Sequence, residues 1–213
     1  MHSKFWHKRW ATSDIPWHES AGSSLLAENL NALSLRCSTR IFVPLCGKTL
    51  DIRWLLGHGY SVVAIELSEM AVNQLFSELG SKPKIVQSGS LKHYSVNKLD
   101  VFIGDFFVLT ADLLGTVDAV FDRASLVALP IEMRVKYTRH LADITAKALQ
   151  LLIVFEYHSP EMVGPPFSIS MDEITKHYSE IYAISLLSSR DVSGKLRGDF
   201  AALENAYLLQ PVA

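Results

Sequence analysis

Residues 40–67 read RIFVPLCGKTLDIRWLLGHGYSVVAIEL. Ile41–Leu45 is an apolar run of strand length. Leu50–Leu56 has helical spacing, with Leu50, Trp54 and Leu55 on one face, and Gly57 and Gly59 stop it. Ser61–Leu67 is a second strand, rich in β-branched residues. Strand, turn, helix and strand in this order open a nucleotide-binding α/β fold. The turn Leu45-Cys46-Gly47 has one glycine, where a dinucleotide site needs three. Lys48 follows, but the earlier glycine of a P-loop is missing, so a pyrophosphate has no evident cradle. Gly47 still allows a tight turn and close approach of a ligand to the backbone.

The alternation continues outward. Ser68 is an N-cap candidate with Glu69 in the first turn, ahead of a helix that buries Val72, Leu75, Phe76 and Leu79 and stops at Gly80. Residues 84–96 have the pattern of a hairpin inserted between main elements. Leu99–Gly104 and Val117–Asp122 are the third and fourth main strands. Pro130 opens a helix through Lys147, and Leu149–Tyr157 is the fifth strand. Ser170 and Glu173 have the spacing of a capping box. Ile181–Ser188 and Ala201–Leu209 have hairpin spacing, so the sheet is expected to end antiparallel. The first forty residues read as helical and aromatic, with Phe5, Trp6, Trp10 and Trp17 close together. The expected fold is α/β: a doubly wound, mostly parallel sheet with helices on both faces. One domain over 1–213 suits the length.

The composition narrows the function. Net charge is −2 and no basic stripe is present, which argues against a nucleic-acid partner. Two cysteines, Cys37 and Cys46, are too few for a disulfide framework. The histidines are scattered, so no metal site is expected. The longest apolar run, Ala148–Phe155, is too short to span a membrane. No apolar leader is seen, and a reduced, cytoplasmic protein is the expectation.

Ligands of such sheets bind beyond the carboxyl ends of the strands. Glu66 ends the second strand, nineteen residues after Gly47. There it can accept from both hydroxyls of a ribose; taken singly, a carboxylate is more often solvated or salt-bridged. A ribose site without a pyrophosphate cradle suits S-adenosylmethionine and suits NAD poorly. Asp105, before Phe106 and Phe107, either meets an adenine edge or caps the following turn. In FDRASLVALP, Asp122 and Arg123 form either a structural pair or, at Arg123, a fixed positive charge for a carboxylate or an anionic substrate. GPPFSIS, 164–170, is either a rigid connector or a lid with Phe167 turned to a substrate.

These residues resemble the thiopurine S-methyltransferases, most of all the short bacterial form. The likeness spans essentially the whole chain and rests on FWHKRW (5–10), VPLCGKTLDIRWL (43–55), VVAIELSEMAV (62–72), GDFF (104–107), FDRASLVALP (121–130) and GPPFS (164–168). It implies a class I methyltransferase fold, a seven-stranded Rossmann-like sheet with its last strand antiparallel. It implies that Trp10, Leu45, Glu66 and Arg123 bind S-adenosylmethionine, with residues 1–38 as a helical lid over the cofactor; Gly47 and Asp105 join that set on the reading above. It also implies methylation of sulfur in aromatic and heterocyclic thiols such as 6-mercaptopurine, with selenium and tellurium species as the alternative acceptors. Phe5, Trp17 and Phe167 are the candidate walls of the substrate pocket, and a monomer is expected. Two departures bear on substrate choice. Pro16-Trp17-His18 stands where the family often has Gly-Phe-His, and any of Arg190, Lys195 and Arg197 could take the place of an arginine over the substrate. The rival readings are a nucleotide-dependent oxidoreductase, which the missing glycines oppose, and a ligand-sensing module that kept the fold without the chemistry.

Overall fold

The computed structural model describes residues 3–159, 161–196, 198 and 200–212. In chain order the elements are α1 (Ser3–Ala11), α2 (Ser24–Asn29), β1 (Arg40–Val43), α3 (Leu50–Gly57), β2 (Ser61–Glu66), α4 (Glu69–Glu78), β3 (Lys84–Ser88), β4 (Leu91–Val96), β5 (Leu99–Ile103), α5 (Ala111–Leu114), β6 (Ala119–Arg123), α6 (Ile131–Ile144), β7 (Leu149–Tyr157), α7 (Met171–Tyr178), β8 (Tyr182–Asp191) and β9 (Ala202–Pro211). They fall into two compact units. The first holds residues up to Ser24 together with Leu35–Ala119; the second holds Leu25–Ser34 and the residues from Val120 onward.

In the first unit the strands are ordered β3-β4-β5-β2-β1. β2 lies at the parallel centre, with Val62 opposite Leu99 on one side and Arg40 opposite Ser61 on the other. Val62–Glu66 are buried without alternation, as in a strand covered on both faces. Ser68 caps α4 by accepting from the Ala71 N–H. That helix buries Ala71, Val72, Leu75 and Phe76, while Leu79 is half-buried at its C-cap.

The structure differs from the sequence reading in α3. Its buried residues are Asp51, Ile52 and Leu55, while Leu50 and Trp54 are half-buried. Asp51 is drawn inward because its carboxylate accepts the Ser23 N–H at 2.6 Å. Residues 84–96 are a hairpin whose second strand also pairs antiparallel with β5, Lys92 opposite Ile103 and Val96 opposite Leu99. The hairpin therefore extends the sheet. Among the described residues nine strands form where seven were expected, and β3 and β4 are the additional pair. Gly104, with φ 144°, closes the seam: a Cβ there would sit 2.5 Å from Leu91.

In the second unit the order is β6-β7-β9-β8. β9 is antiparallel to both neighbours, as expected of the last strand. β8 carries a bulge between Leu186 and Ser188, which adds local twist to this edge strand. The helix predicted through Lys147 ends at Ile144, because Ala146 and Lys147 take φ values of 50° and 58°. Half of the predicted capping box forms. Ser170 accepts from the Glu173 N–H, but the Glu173 side chain turns away to Arg134, at 2.6 Å, and to His177. An ion pair to a nearly buried arginine outcompetes the reach back to the Ser170 N–H.

Candidate active site

The first unit builds its site on the turn after β1. Leu45 has φ 45° and Gly47 has φ 54°. A leucine in this region is strained, and such residues gather at functional sites. The Cys46 N–H donates to the Ile65 carbonyl at 3.0 Å, which lays the turn along the end of β2. The Gly47 N–H then donates to one oxygen of Glu66 at 2.8 Å, and the Ser68 N–H donates to the other at 2.8 Å. The N–H that could face a phosphate is thus committed to a carboxylate. Glu66 is buried, and burial raises its pKa, with the N–H groups of Ser68, Gly47 and Leu67 holding it back. The Gly47 and Ser68 N–H groups each engage one Glu66 oxygen and the Leu67 N–H draws on a third acceptor site, which leaves the carboxylate with capacity to accept from a ribose hydroxyl. The buried Cys46 thiol is pushed upward by desolvation and by the Glu66 charge.

Trp10 covers this turn. Its indole is 3% exposed, and a Cβ on Gly47 would lie 3.0 Å from the ring. Glycine is required here twice, for its conformation and for the indole above it. Trp17 meets Trp10 and Trp6 edge-on at 6.1 and 5.3 Å, and Phe5 meets Trp6 at 5.1 Å. The Arg9 guanidinium lies over Phe5 at 5.5 Å and over Trp17 at 5.3 Å, and it pairs with Asp14. The expected core-or-pocket aromatics therefore form one edge-to-face cluster. Asp105 is exposed and caps the next turn, accepting the Phe107 N–H at 3.0 Å. Of its two sequence readings, the structure displays the cap.

The second unit holds the other predicted residues. Asp122 and Arg123 are successive residues of a strand, so their side chains leave on opposite faces. Asp122 is fully buried and accepts from the Tyr137 hydroxyl at 2.7 Å. Burial pushes its pKa up to about 6, with the Tyr137 hydroxyl opposing. Arg123 is half-buried at the strand end, and Ala124 follows it with φ 61°. Phe167 is tied to this segment, since its N–H donates to the Val127 carbonyl at 2.7 Å. The Arg134 guanidinium sits over the Phe167 ring at 5.0 Å. Arg134, Tyr157, His158, Ser159, Met162, Phe167 and Ser168 line a cleft of about 240 Å³. Arg190 pairs with Glu28 of α2, and Lys195 is exposed. Arg197 lies outside the described residues. Among the described residues no group of acidic, histidine or cysteine side chains is arranged to hold a metal.

The first unit thus brings together Phe5, Trp10, Trp17, Leu45, Gly47 and Glu66, while Arg123 and Phe167 stand in the second. Residues 1–209 match the thiopurine S-methyltransferase (TPMT) family. The chain belongs to that family. It is 45% identical over 211 residues to the thiopurine S-methyltransferase of Xanthobacter autotrophicus, covering 99% of each chain. It is 46% identical over 194 residues to that of Acinetobacter baylyi, covering 89% of each. Among solved structures, a Burkholderia thailandensis 1,6-didemethyltoxoflavin-N1-methyltransferase, solved with bound 1,6-didemethyltoxoflavin and S-adenosylhomocysteine, matches with a TM-score of 0.66 at 13% identity, over 98% of this chain and 87% of that one. The fold is the class I methyltransferase fold, and the family's enzymes are methyltransferases that use S-adenosylmethionine. Sequence reasoning missed Asp51 and Arg134. Their signal, a charged residue on the apolar side of an amphipathic helix, is visible only once the helix face is known.

Proposed function

We propose that this protein transfers the methyl group of S-adenosylmethionine to the sulfur of aromatic or heterocyclic thiols, thiopurines among them. The observation that carries this reading is the Gly47 N–H donated to Glu66 beneath Trp10. It removes the phosphate cradle of a dinucleotide site and presents a carboxylate where a ribose would lie. Bound S-adenosylmethionine would supply an electrophilic methyl group: the acceptor thiolate would bond to that carbon as the carbon's bond to the sulfonium sulfur breaks, with neutral S-adenosylhomocysteine as the leaving group. Glu66 accepts from a ribose hydroxyl. Leu45, Gly47 and Trp10 shape the wall along the cofactor and keep water from it. Asp105, fixed as a cap, stands at the adenine end. Arg123 provides a fixed positive charge for the cofactor carboxylate and favours the thiolate form of the acceptor. Phe5, Trp17 and Phe167 contact the acceptor ring. Heterocyclic thiols ionise readily, so alignment of the reactants in an apolar setting does most of the catalysis.

The chain works as one methyltransferase domain, as a monomer in the cytoplasm, with residues 1–38 as the cover over the cofactor. The negative net charge supports a small-molecule acceptor over a nucleic acid. Calorimetric titration with S-adenosylmethionine, with NADH as comparison, is the first test. One-to-one binding of the former alone is expected. Tight NADH binding would restore the oxidoreductase reading, and cofactor binding with no acceptor turned over would favour a sensing module. Turnover is then compared on 6-mercaptopurine, thiophenols, selenite and tellurite. Selenite or tellurite outpacing every thiol would reassign the acceptor to metalloids.

A further inference from the structure

We infer that Asp51 is a positioning residue that latches the N-terminal arm over the cofactor turn, an assignment that rests on Trp10 being the cofactor's cover. The arm touches the turn at two places. Near its start, Trp10 lies on Gly47. Near its end, the Ser23 N–H donates to Asp51 at 2.6 Å, and a Cβ on Gly22, whose φ is 77°, would meet the same carboxylate oxygen at 3.0 Å. The other oxygen accepts the Thr49 hydroxyl at 2.8 Å, and Thr49 in turn caps α3 by accepting the Asp51 N–H. Asp51 is 1% exposed. Both carboxylate oxygens are thus engaged, and the group sits in the first turn of α3, where the helix end favours negative charge. One oxygen is therefore fixed locally by Thr49, and the other fastens a segment twenty-eight residues away in sequence.

Residues 11–21 span the two anchors and are mostly exposed. Trp17 packs edge-on against Trp6 and Trp10, and Arg9 pairs with Asp14, so this stretch is tied back to α1, which Trp10 seats on the turn. The Asp51 latch adds a second fastening at its far end. The Gly47 turn and the Asp51 latch lie four residues apart, so the arm is fastened to the same short piece of chain that forms the cofactor turn. Releasing the latch lets the arm, and with it the indole above Gly47, sample open positions. Cofactor affinity is then scaled by the fraction of time that the cover is closed.

The test uses the full chain. Asp51→Ala is expected to weaken S-adenosylmethionine binding about tenfold or more, by calorimetry well below the melting temperature. KM for the thiol should move little, and proteinase K should cut faster within 11–21. Asp51→Asn keeps an oxygen for the Ser23 N–H, and the Thr49 hydroxyl can turn to accept from its amide. It should restore both affinity and protection. Gly22→Ala, which crowds the latch from the other side, should reproduce the Asp51→Ala pattern. A merely structural aspartate would lower the melting temperature while leaving cofactor affinity and cutting within 11–21 unchanged, and that result overturns the inference. Wild-type protein that binds no S-adenosylmethionine would instead overturn the cofactor reading, and the proteolysis comparison would still decide whether the latch holds the arm.

Discussion

At the scale of single residues, the site depends on two groups that cannot be exchanged cheaply. Gly47→Ala places a methyl group 3.0 Å from the Trp10 ring and forces alanine into φ 54°. The expected cost is about 1–3 kcal/mol of stability, with loss of most cofactor affinity, read by thermal melting and calorimetry. Glu66→Gln keeps the shape but has one oxygen to accept two N–H groups. Cofactor binding should weaken at least about tenfold. Binding to the wild type should also depend on pH. The Glu66 pKa is raised in the folded protein, so affinity should fall on acidification at a higher pH than an ordinary glutamate would give. Glu66→Gln should lack that dependence. Arg123→Met tests the remaining charge. If Arg123 favours the thiolate, the variant should lose most turnover near neutral pH and recover part of it at a pH above the thiol's own pKa; full activity at every pH would remove Arg123 from the mechanism.

At the scale of elements, the informative strand is β6. Its Asp122 carries a folded pKa of about 6 against an ordinary 3.8. Between those values the folded state binds more protons than the unfolded one, so stability falls as pH rises through that window. Over the whole interval the effect is about 3 kcal/mol. Asp122→Asn should flatten this part of the curve, measured by urea melts at pH 4, 5 and 6.5. The same strand shows why sequence and structure part company. An Asp-Arg dipeptide reads as a pair, but strand geometry sends the two side chains apart, and Asp122 goes to Tyr137 of α6. The capping box on α7 is only half made for a related reason. The spacing of Ser170 and Glu173 is a local signal, whereas the claim of Arg134 on Glu173 is a tertiary one. In α3 the inward turn of Asp51 has no local signal, because its partner Ser23 stands twenty-eight positions earlier.

At the scale of the whole molecule, the parts readable from sequence were those written in local patterns. The alternation of strands and helices, the single-glycine turn, the acidic end of β2 and the antiparallel finish all follow from periodicity and from turn residues. The seating of Trp10 on Gly47 could not be read this way, because it joins residues thirty-seven positions apart through shape alone. Nor could the docking of residues 84–96 onto β5, since a hairpin that extends a sheet and one that stands alone have the same alternating pattern. The order of acceptors is a property at this scale. Thiols with flat rings should be turned over faster than aliphatic thiols of equal acidity, and Phe167→Ala should narrow that gap by raising KM for the aromatic acceptors alone.

The two thiols of the chain differ in their setting: Cys37 is exposed, and Cys46 is buried within the Leu45–Gly47 turn beside Glu66. Alkylation should therefore proceed in two phases, with Cys37 labelled at the rate of a free thiol and Cys46 only as fast as the turn becomes accessible. The slow phase, followed by mass spectrometry, gives a clock for the exposure of that turn in unmodified protein. S-adenosylmethionine should slow that clock in proportion to its occupancy, with no dye, tag or substitution introduced.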